Sequence, residues 1–293
     1  MLAMDPSPPL RLLQAVRRAH PLPAGSIDPL RPPSRISSVF RSVVDIASPD
    51  GLLALADDAV GGLPHGVSVR GLDARALGLV PGMRVVVSAS DWSIPDAGVR
   101  VVLHGAQRWS PGLSSVGPHD WPARRRHVTA HLHRIGEGST PLSAMVRAAA
   151  QTAMAELSGA ISAGDRVAAA SMACHLIGLG PGSTPAGDDV LTGAEAGLRA
   201  TGHPLAGFTG AALVDVETRT TEVAAAMLRH AARGAFAERV HRLVRAALVD
   251  DLQAVGDPLG AAAAWGATSG QDTLVGIVLA MDATSPRTRR RVA

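Results

Sequence analysis

A segment rich in glycine and proline, residues 178–189, carries the residues best suited to chemistry in this chain of 293 residues. Its sequence is Gly-Leu-Gly-Pro-Gly-Ser-Thr-Pro-Ala-Gly-Asp-Asp, and an apolar run begins directly after it. Glycine and proline at this density exclude a helix or strand interior. The segment is therefore predicted to be a loop that leads into a helix N-terminus, where free N–H groups and the helix dipole favour an anion. The residues expected to bind a phosphate-type anion here are Gly180, Gly182, Ser183, Thr184 and Gly187.

The adjacent Asp188 and Asp189 at the end of this loop have two interpretations. Asp is a favoured N-cap residue, and its charge suits the positive end of the helix dipole. Alternatively, Mg²⁺ takes one or two carboxylates and fills its shell with water and substrate phosphate. The segment is neither a Walker motif, because no Lys follows, nor a dinucleotide fingerprint, because no strand of a βαβ unit precedes it.

A second copy of part of this motif strengthens the case for a site. The pattern G-x-D-x-L-x-G occurs at residues 187–193 and again at 270–276, each time after a small-residue turn and at the start of a predicted helix. We expect the two helix N-termini to converge on one anionic ligand, with Asp189 facing Asp272. Thr268, Ser269 and Gly270 would add donors to the anion, and Asp188, Asp189 and Asp272 are the candidate Mg²⁺ ligands.

The elements that must position these residues indicate an α+β fold. Short Val- and Ile-rich segments separated by turn signals predict about five strands in a small barrel or sandwich, at 36–46, 52–56, 67–69, 83–89 and 99–103. After residue 141 apolar residues recur every three or four positions. This spacing predicts an alanine-rich helical domain, with helices at 142–161, 166–177, 188–200, 205–232, 237–249, 259–265 and 271–281.

Composition divides the chain into five parts. Residues 1–33 are a proline-rich lead predicted to be disordered, 34–113 a β-rich domain, 114–140 a connector, 141–283 the helical domain, and 284–293 a basic, disordered tail. In the connector, His127 and His131 have the i, i+4 spacing that can bind zinc, but no carboxylate or cysteine accompanies them, which favours a solvated linker. Within predicted helix 205–232, a polar cluster around Thr220 and Thr221 faces either the anion, together with Arg229, or solvent.

Charge and cysteine content exclude several classes of protein. The formal net charge is +3, and the tail alone holds four arginines, so no basic face is large enough to follow a nucleic acid backbone. One cysteine excludes an internal disulfide framework. Without a signal-peptide core or an uninterrupted apolar run of about 20 residues, the chain is expected to be soluble and cytoplasmic.

The two glycine–aspartate motifs resemble those of the AllH-like family, which includes the third subunit of bacterial oxamate carbamoyltransferase. The resemblance lies in residues 176–182 with Thr184-Pro185 and 187–189, and in Thr268-Ser269-Gly270 with Asp272 and Gly276. Segments 220–236 and 105–109 are also similar. The chain departs from the family pattern at Ser183, at Ala186, and at Ala267, where a histidine is expected.

The resemblance implies a component of a multi-subunit transferase in allantoin nitrogen use, with other carbamoyltransferase subunits as partners. That enzyme converts oxalurate and phosphate into oxamate and carbamoyl phosphate, with Mg²⁺ as cofactor. Two alternatives stay open: an assembly subunit without catalytic function, and a stand-alone Mg²⁺-dependent hydrolase of the ADP-ribosylglycohydrolase type. Binding of a small carbamoyl or carboxylate anion, rather than nucleic acid or membrane, is expected.

Overall fold

The computed structural model describes residues 10–20, 33–116, 120–136, 141–251 and 257–285. In these ranges the chain forms nine β-strands followed by eight α-helices, which confirms the predicted α+β class. It divides into two compact units, residues 1–111 with 237–239, and residues 112–236 with 240–293. The first unit ends close to the predicted limit of the β-rich domain at residue 113.

The first unit is a closed eight-stranded barrel with one further strand. The strands are β1 (Arg11–Ala19), β2 (Ser34–Val39), β3 (Val43–Ser48), β4 (Gly51–Asp57), β5 (Gly66–Val69), β6 (Arg84–Val87), β7 (Asp91–Ile94), β8 (Val99–Val102) and β9 (Gln107–Trp109). Their order is β5-β4-β3-β2-β6-β7-β8-β1-β9, and pairing of β1 with β5 closes the barrel. Valine, leucine and isoleucine side chains from the strands fill the interior.

Strand β1 corrects the prediction that residues 1–33 form a disordered lead. Residues 11–19 contain no proline although prolines surround them, and they pair with three strands: parallel with β8 and β9 and antiparallel with β5. Ala15 and Ala19 of β1 are buried. The composition of the whole lead therefore concealed a nine-residue strand. Residues 1–9 and 21–32 lie outside the described residues.

The single strand predicted at 36–46 is also wrong, because the chain turns back at residues 40–42. The Phe40 N–H donates to the Val43 carbonyl at 2.8 Å, and β2 and β3 pair as an antiparallel hairpin. The continuous Val and Ile pattern masked this turn, which contains neither glycine nor proline.

The second unit is helical. Its helices are α1 (Trp121–Gly136), α2 (Pro141–Ala163), α3 (Arg166–Leu176), α4 (Ala186–Ala200), α5 (Glu222–Ala232), α6 (Glu238–Leu248), α7 (Pro258–Ala263) and α8 (Ser269–Thr284); the first two residues of α6 belong to the barrel unit. Helices α4 and α8 pack closely on each other, and most residues of both are buried. Helices α2 and α3 pack around this pair, and their side chains share its hydrophobic core.

The long helix predicted over residues 205–232 is wrong for its first half. Only the last eleven residues form α5, while Phe208–Ala212 and Val216–Thr218 are short 3₁₀ turns. Gly207 and Asp215 both have positive φ angles, of 85° and 52°, which a continuing right-handed helix cannot accommodate. The Thr221 hydroxyl accepts from the Ala224 N–H and caps α5.

The predicted connector contains helix α1. His131 on this helix is buried, with its Nδ1 3.6 Å from the Asp257 carboxyl, so the prediction of a solvated linker is wrong at this position. Among the described residues, no helix is long and apolar enough to cross a membrane. Residues 286–293 of the predicted tail lie outside the described residues.

Candidate functional site

The glycine-rich segment forms the predicted loop between α3, which ends at Leu176, and α4, which begins at Ala186. Gly178, Gly180 and Gly182 all have positive φ angles. Gly178 also has no room for a side chain, because a Cβ atom would lie 1.9 Å from the Arg219 carbonyl oxygen. Gly182 and Ser183 are exposed at the tip of the loop, and Thr184 is half-buried.

Asp188 holds this loop in place. Its carboxyl accepts one hydrogen bond from the Gly178 N–H at 3.0 Å and a second from the Thr220 hydroxyl at 2.5 Å. Burial raises the pKa of the Asp188 carboxyl, against the opposing effects of these two hydrogen bonds and of the Arg219 charge. Asp188 is not the N-cap of α4, because the helix begins two residues earlier, at Ala186. It connects the loop to the segment before α5.

The second glycine–aspartate motif lies directly beside the first. Helix α8 begins at Ser269, and the Ser269 and Thr184 hydroxyl oxygens are hydrogen-bonded at 2.9 Å. Thr268 is half-buried in the N-cap position of α8, where its side chain makes no capping hydrogen bond. The loops that precede the two helices are therefore in contact, as the hypothesis of converging N-termini requires.

The last glycines of the two repeats let α4 and α8 cross at very short range. A Cβ atom on Gly193 would lie 1.9 Å from the Thr273 carbonyl oxygen, and one on Gly276 would lie 2.0 Å from the Val190 carbonyl oxygen. These contacts are reciprocal, because each joins a glycine of one repeat to the equivalent carbonyl of the other. Asp189 and Asp272 each precede one of those carbonyl residues, so both carboxyls belong to the first turns of helices that cross there.

The first glycines of the repeats allow close packing between consecutive helices. A Cβ atom on Gly187 would lie 1.9 Å from the Leu176 carbonyl oxygen, and one on Gly270 would lie 1.9 Å from the Ala263 carbonyl oxygen. Their N–H groups donate to the carbonyls of Leu179 and Trp265, respectively. Both glycines were predicted to contact the anion. The structure gives each the same packing role, which brings the end of the preceding helix onto the new one, and their contact with the anion stays a prediction.

The three predicted metal ligands do not form one cluster. In the part of the chain that the structure describes, no group of three or more His, Cys, Asp or Glu side chains is arranged to hold a metal ion, and Asp188 is bound to Gly178 and Thr220. Asp189 and Asp272 are buried, 9% and 7% exposed. Mg²⁺ needs only one or two protein carboxylates when substrate phosphate and water complete its octahedron. These two residues fit such an ion, and the site stays a prediction.

The polar cluster between the two motifs divides into two functions. Thr220 binds Asp188, and the Thr221 hydroxyl donates to the Ser183 carbonyl at 2.5 Å. Glu217 forms an ion pair with Arg229, and both side chains are at least one third exposed. The threonines therefore position the glycine-rich loop, whereas the ion pair lies on the outer face. The ion pair agrees with the predicted polar outer face, whereas contact of the threonines with an anion stays a prediction.

Glu195 is a buried polar residue that sequence reasoning missed. It lies in α4 with no exposed surface, and its carboxyl accepts hydrogen bonds from the Gly207 N–H and from the N–H and hydroxyl of Thr209. Burial raises the pKa of this carboxyl. The sequence contains one signal for this buried carboxyl, namely an acidic residue flanked by two alanines within an apolar helix. Its partners could not be predicted, because they lie in turns that the sequence pattern assigned to a helix.

Two family models match the chain. One, described as the AllH family N-terminal domain, matches residues 11–108, which span the strands of the barrel. The other, described as oxamate carbamoyltransferase subunit AllH, matches residues 176–281, from the end of α3 through most of α8. No curated protein and no solved structure shows significant similarity to the chain. Because the two matched ranges together cover more than two thirds of the residues, this protein belongs to the AllH family.

Proposed function

We propose that this chain is a subunit of a multi-subunit carbamoyltransferase of the oxamate type, and that its α4 and α8 N-termini hold the phosphate-type anion of the reaction. The observation that carries the proposal is the hydrogen bond between Thr184 and Ser269. It joins the loops before the two helices and so brings two positive helix ends together. A single helix N-terminus already attracts anions, and two adjacent ones strengthen that attraction.

The groups available to the anion lie at the tip of the first loop and at the start of α8. They are the hydroxyls of Ser183, Thr184, Thr268 and Ser269, and the N–H groups around Gly180 and Gly182. In the family reaction a phosphate oxygen attacks the carbamoyl carbon of oxalurate, the bond from that carbon to the oxamate nitrogen breaks, and this nitrogen takes up a proton. Fixed N–H and O–H donors stabilise the negative oxygens that such a step requires.

Asp189 and Asp272 are the residues proposed to hold Mg²⁺. When bound, the ion would neutralise part of the phosphate charge. The first turns of α4 and α8 supply one carboxylate each, and the crossing at Gly193 and Gly276 keeps those turns together. Asp188 is excluded from this set because it stabilises the loop through Gly178 and Thr220.

Calorimetric titration of the purified chain with carbamoyl phosphate and with inorganic phosphate, each with and without Mg²⁺, tests this proposal. We expect binding that depends on Mg²⁺ and is weakened at least about tenfold in Asp189→Asn, since a hydrogen bond or contact to a charged group contributes about 1.5–3 kcal/mol. Asp282→Asn is the matched control, because Asp282 lies near the other end of α8 and binds Trp121 and Arg125. Equal binding by the wild type and Asp189→Asn would contradict the metal role.

A role in assembly without catalysis is the second candidate, and one observation favours it. Several polar groups of the two motifs are already satisfied within the chain: the Asp188 carboxyl and the N–H groups of Gly187 and Gly270. Co-expression with the other subunits of the complex separates the two candidates. If Asp189→Ala and Thr184→Val leave turnover of the assembled complex unchanged, the motifs only pack helices. If turnover falls while the complex still co-purifies, the site takes part in the reaction.

A further inference from the structure

A cavity of about 380 Å³ between α2, α4 and α8 adjoins the proposed anion site. This volume is within the range of pockets that bind small molecules. Ala186 and Gly187, the first two residues of α4, form part of its wall. Val146 of α2 also lines it, and the Val146 Cγ1 lies 3.4 Å from the position that a Cβ atom on Gly180 would take. The cavity therefore borders both the α4 N-terminus and the glycine-rich loop, so one ligand can extend from the loop into the cavity.

The wall of the cavity is mainly aliphatic and is formed by Val146, Ala150, Met154, Val190 and Val275. The Gly187 N–H already donates to the Leu179 carbonyl at 2.9 Å, and Asp272, which also lines the cavity, has an interaction within the chain. Charged oxygens would lose their water among these side chains without gaining donors, whereas an apolar group is stabilised when it leaves water. The wall therefore suits the uncharged, apolar part of a ligand.

The cavity is open to ligands from solvent on the side of α2. Ala148 and Gln151 line it and are exposed. A ligand can therefore enter without displacement of the buried residues of α4 and α8.

We propose that this cavity holds the leaving group of the carbamoyl transfer, and that the carbamoyl donor of this chain is an N-carbamoyl compound with an aliphatic or aromatic body. This inference rests on the proposed function, which assigns the phosphate to the adjacent loop. Oxalurate carries a carboxylate where the proposed donor carries its apolar body, and aliphatic walls disfavour that charge. The chain therefore differs from the oxalurate-cleaving members of the family in the class of substrate that it accepts.

The chemical step is the one already described, with a different leaving group. An oxygen of hydrogen phosphate attacks the carbamoyl carbon, the bond from that carbon to the substituted nitrogen breaks, and this nitrogen takes up the phosphate proton. The products are carbamoyl phosphate and an apolar amine or amide. The step requires the phosphate and the apolar body on either side of the transferred carbamoyl group, as the adjacent loop and cavity allow.

Calorimetry on the full chain with three phosphonates, each in the presence of Mg²⁺, tests this inference. The probes are phosphonoacetamide, its N-benzyl derivative and its N-carboxymethyl derivative. All three carry the same phosphonate and carbonyl, and they differ only in having no body, an apolar body or a carboxylate. We expect the N-benzyl derivative to bind at least about tenfold more tightly than the other two, as burial of an apolar group of that size predicts.

A substitution that fills the cavity locates the benzyl group. Ala148→Phe is expected to remove the advantage of the N-benzyl derivative and to leave the affinity for phosphonoacetamide unchanged, because the new ring competes only for the apolar volume. Ala149→Phe is the matched control: Ala149 is the next residue of α2, is also exposed, and does not line the cavity. An advantage that survives in Ala148→Phe would place the benzyl group elsewhere and overturn the inference.

The same titrations separate this inference from the proposed function. Binding of phosphonoacetamide with no gain from the benzyl group would overturn the inference and leave the proposed function intact. Absence of phosphonoacetamide binding would contradict the proposed function, and the inference with it.

Discussion

Two buried carboxyl groups on α4 bind the turns that surround this helix. Asp188 accepts from the Gly178 N–H and the Thr220 hydroxyl, and Glu195 accepts from Gly207 and Thr209. Each replaces water as the acceptor for donors that would otherwise be buried without a partner, a situation that costs about 1–3 kcal/mol per group. Acidic residues in this helix therefore serve structure as well as the proposed site.

Replacing Asp188 with alanine is expected to lower the free energy of unfolding by about 2–3 kcal/mol, because the Gly178 N–H and the Thr220 hydroxyl both lose their acceptor. Asp188→Asn keeps one acceptor oxygen and should cost less. Urea denaturation of the three proteins measures the difference. A loss below about 0.5 kcal/mol in Asp188→Ala, the range of an ordinary surface substitution, would show that these hydrogen bonds do not hold the loop.

His230 makes stability depend on pH. Burial, and secondarily the charge of Arg233, lower the pKa of this histidine to about 4 from its ordinary value of 6.5. Between pH 6.5 and 4 the unfolded chain takes up this proton and the folded chain does not, so the free energy of unfolding falls as the pH falls. Over the whole window the loss amounts to about 3 kcal/mol, at about 1.4 kcal/mol per pKa unit.

The variant His230→Gln isolates this contribution. Its free energy of unfolding, measured in urea from pH 4 to pH 7, should fall less steeply with acidification than that of the wild type. A residual slope is expected, because burial also lowers the pKa of His131 and His203. Parallel curves for the two proteins would mean that His230 has the same pKa in the folded and the unfolded chain.

The loop residues could be predicted from the sequence, but their partners could not. Glycine, proline and aspartate are local signals, since their backbone preferences act over a few residues. The bond from Asp188 to Thr220 joins positions 32 residues apart, and the false prediction of a helix over 205–232 placed Thr220 inside it. The same error hid the partners of Glu195. Contacts between distant segments depend on tertiary packing, which residue spacing alone does not encode.

At the scale of elements, the repeated G-x-D-x-L-x-G pattern describes a helix crossing. The first glycine of each repeat packs against a carbonyl oxygen at the end of the preceding helix. The last glycine packs against a carbonyl oxygen of the other repeat. Equivalent positions of α4 and α8 therefore need glycine, because neither has room for a Cβ atom. In the sequence, the repeat predicts a shared ligand. The structure adds that the repeat first of all allows close packing, which then places the two first turns side by side.

Gly193→Ala and Gly276→Ala are each expected to destabilise the protein by about 2–3 kcal/mol or more. A Cβ atom 1.9–2.0 Å from a backbone oxygen forces the helices apart, and overpacking of this kind outweighs the gain of up to about 1 kcal/mol in helix propensity. Gly159→Ala is the matched control: this exposed glycine of α2 has nothing within 4 Å of the new atom. It should gain about 0.5–1 kcal/mol in thermal or urea unfolding. Stabilisation at Gly193 would contradict the crossing.

At the scale of the whole molecule, the barrel is closed by the strand that sequence composition assigned to a disordered lead. Strand β1 lies between β8 and β5 and also pairs with β9. Without it, β5 and β8 would expose unpaired backbone groups, and the loss of Ala15 would leave a gap in the core. Ala15 of β1 is buried in the barrel core, whereas Leu12 is 65% exposed.

Deletion of residues 1–20 is therefore expected to unfold the barrel rather than remove a dispensable extension. Hydrogen exchange should show loss of protection in β5 and β8, because β8 loses its partner along its whole length and β5 loses it at residues 67–69. Two point variants separate this effect from truncation itself. Ala15→Glu places a charge in the barrel core and should cost about 3 kcal/mol or more, whereas Leu12→Gln changes an exposed position of the same strand and should leave stability within about 0.5 kcal/mol. Normal protection of β5 and β8 after the deletion would mean that the barrel closes by another route.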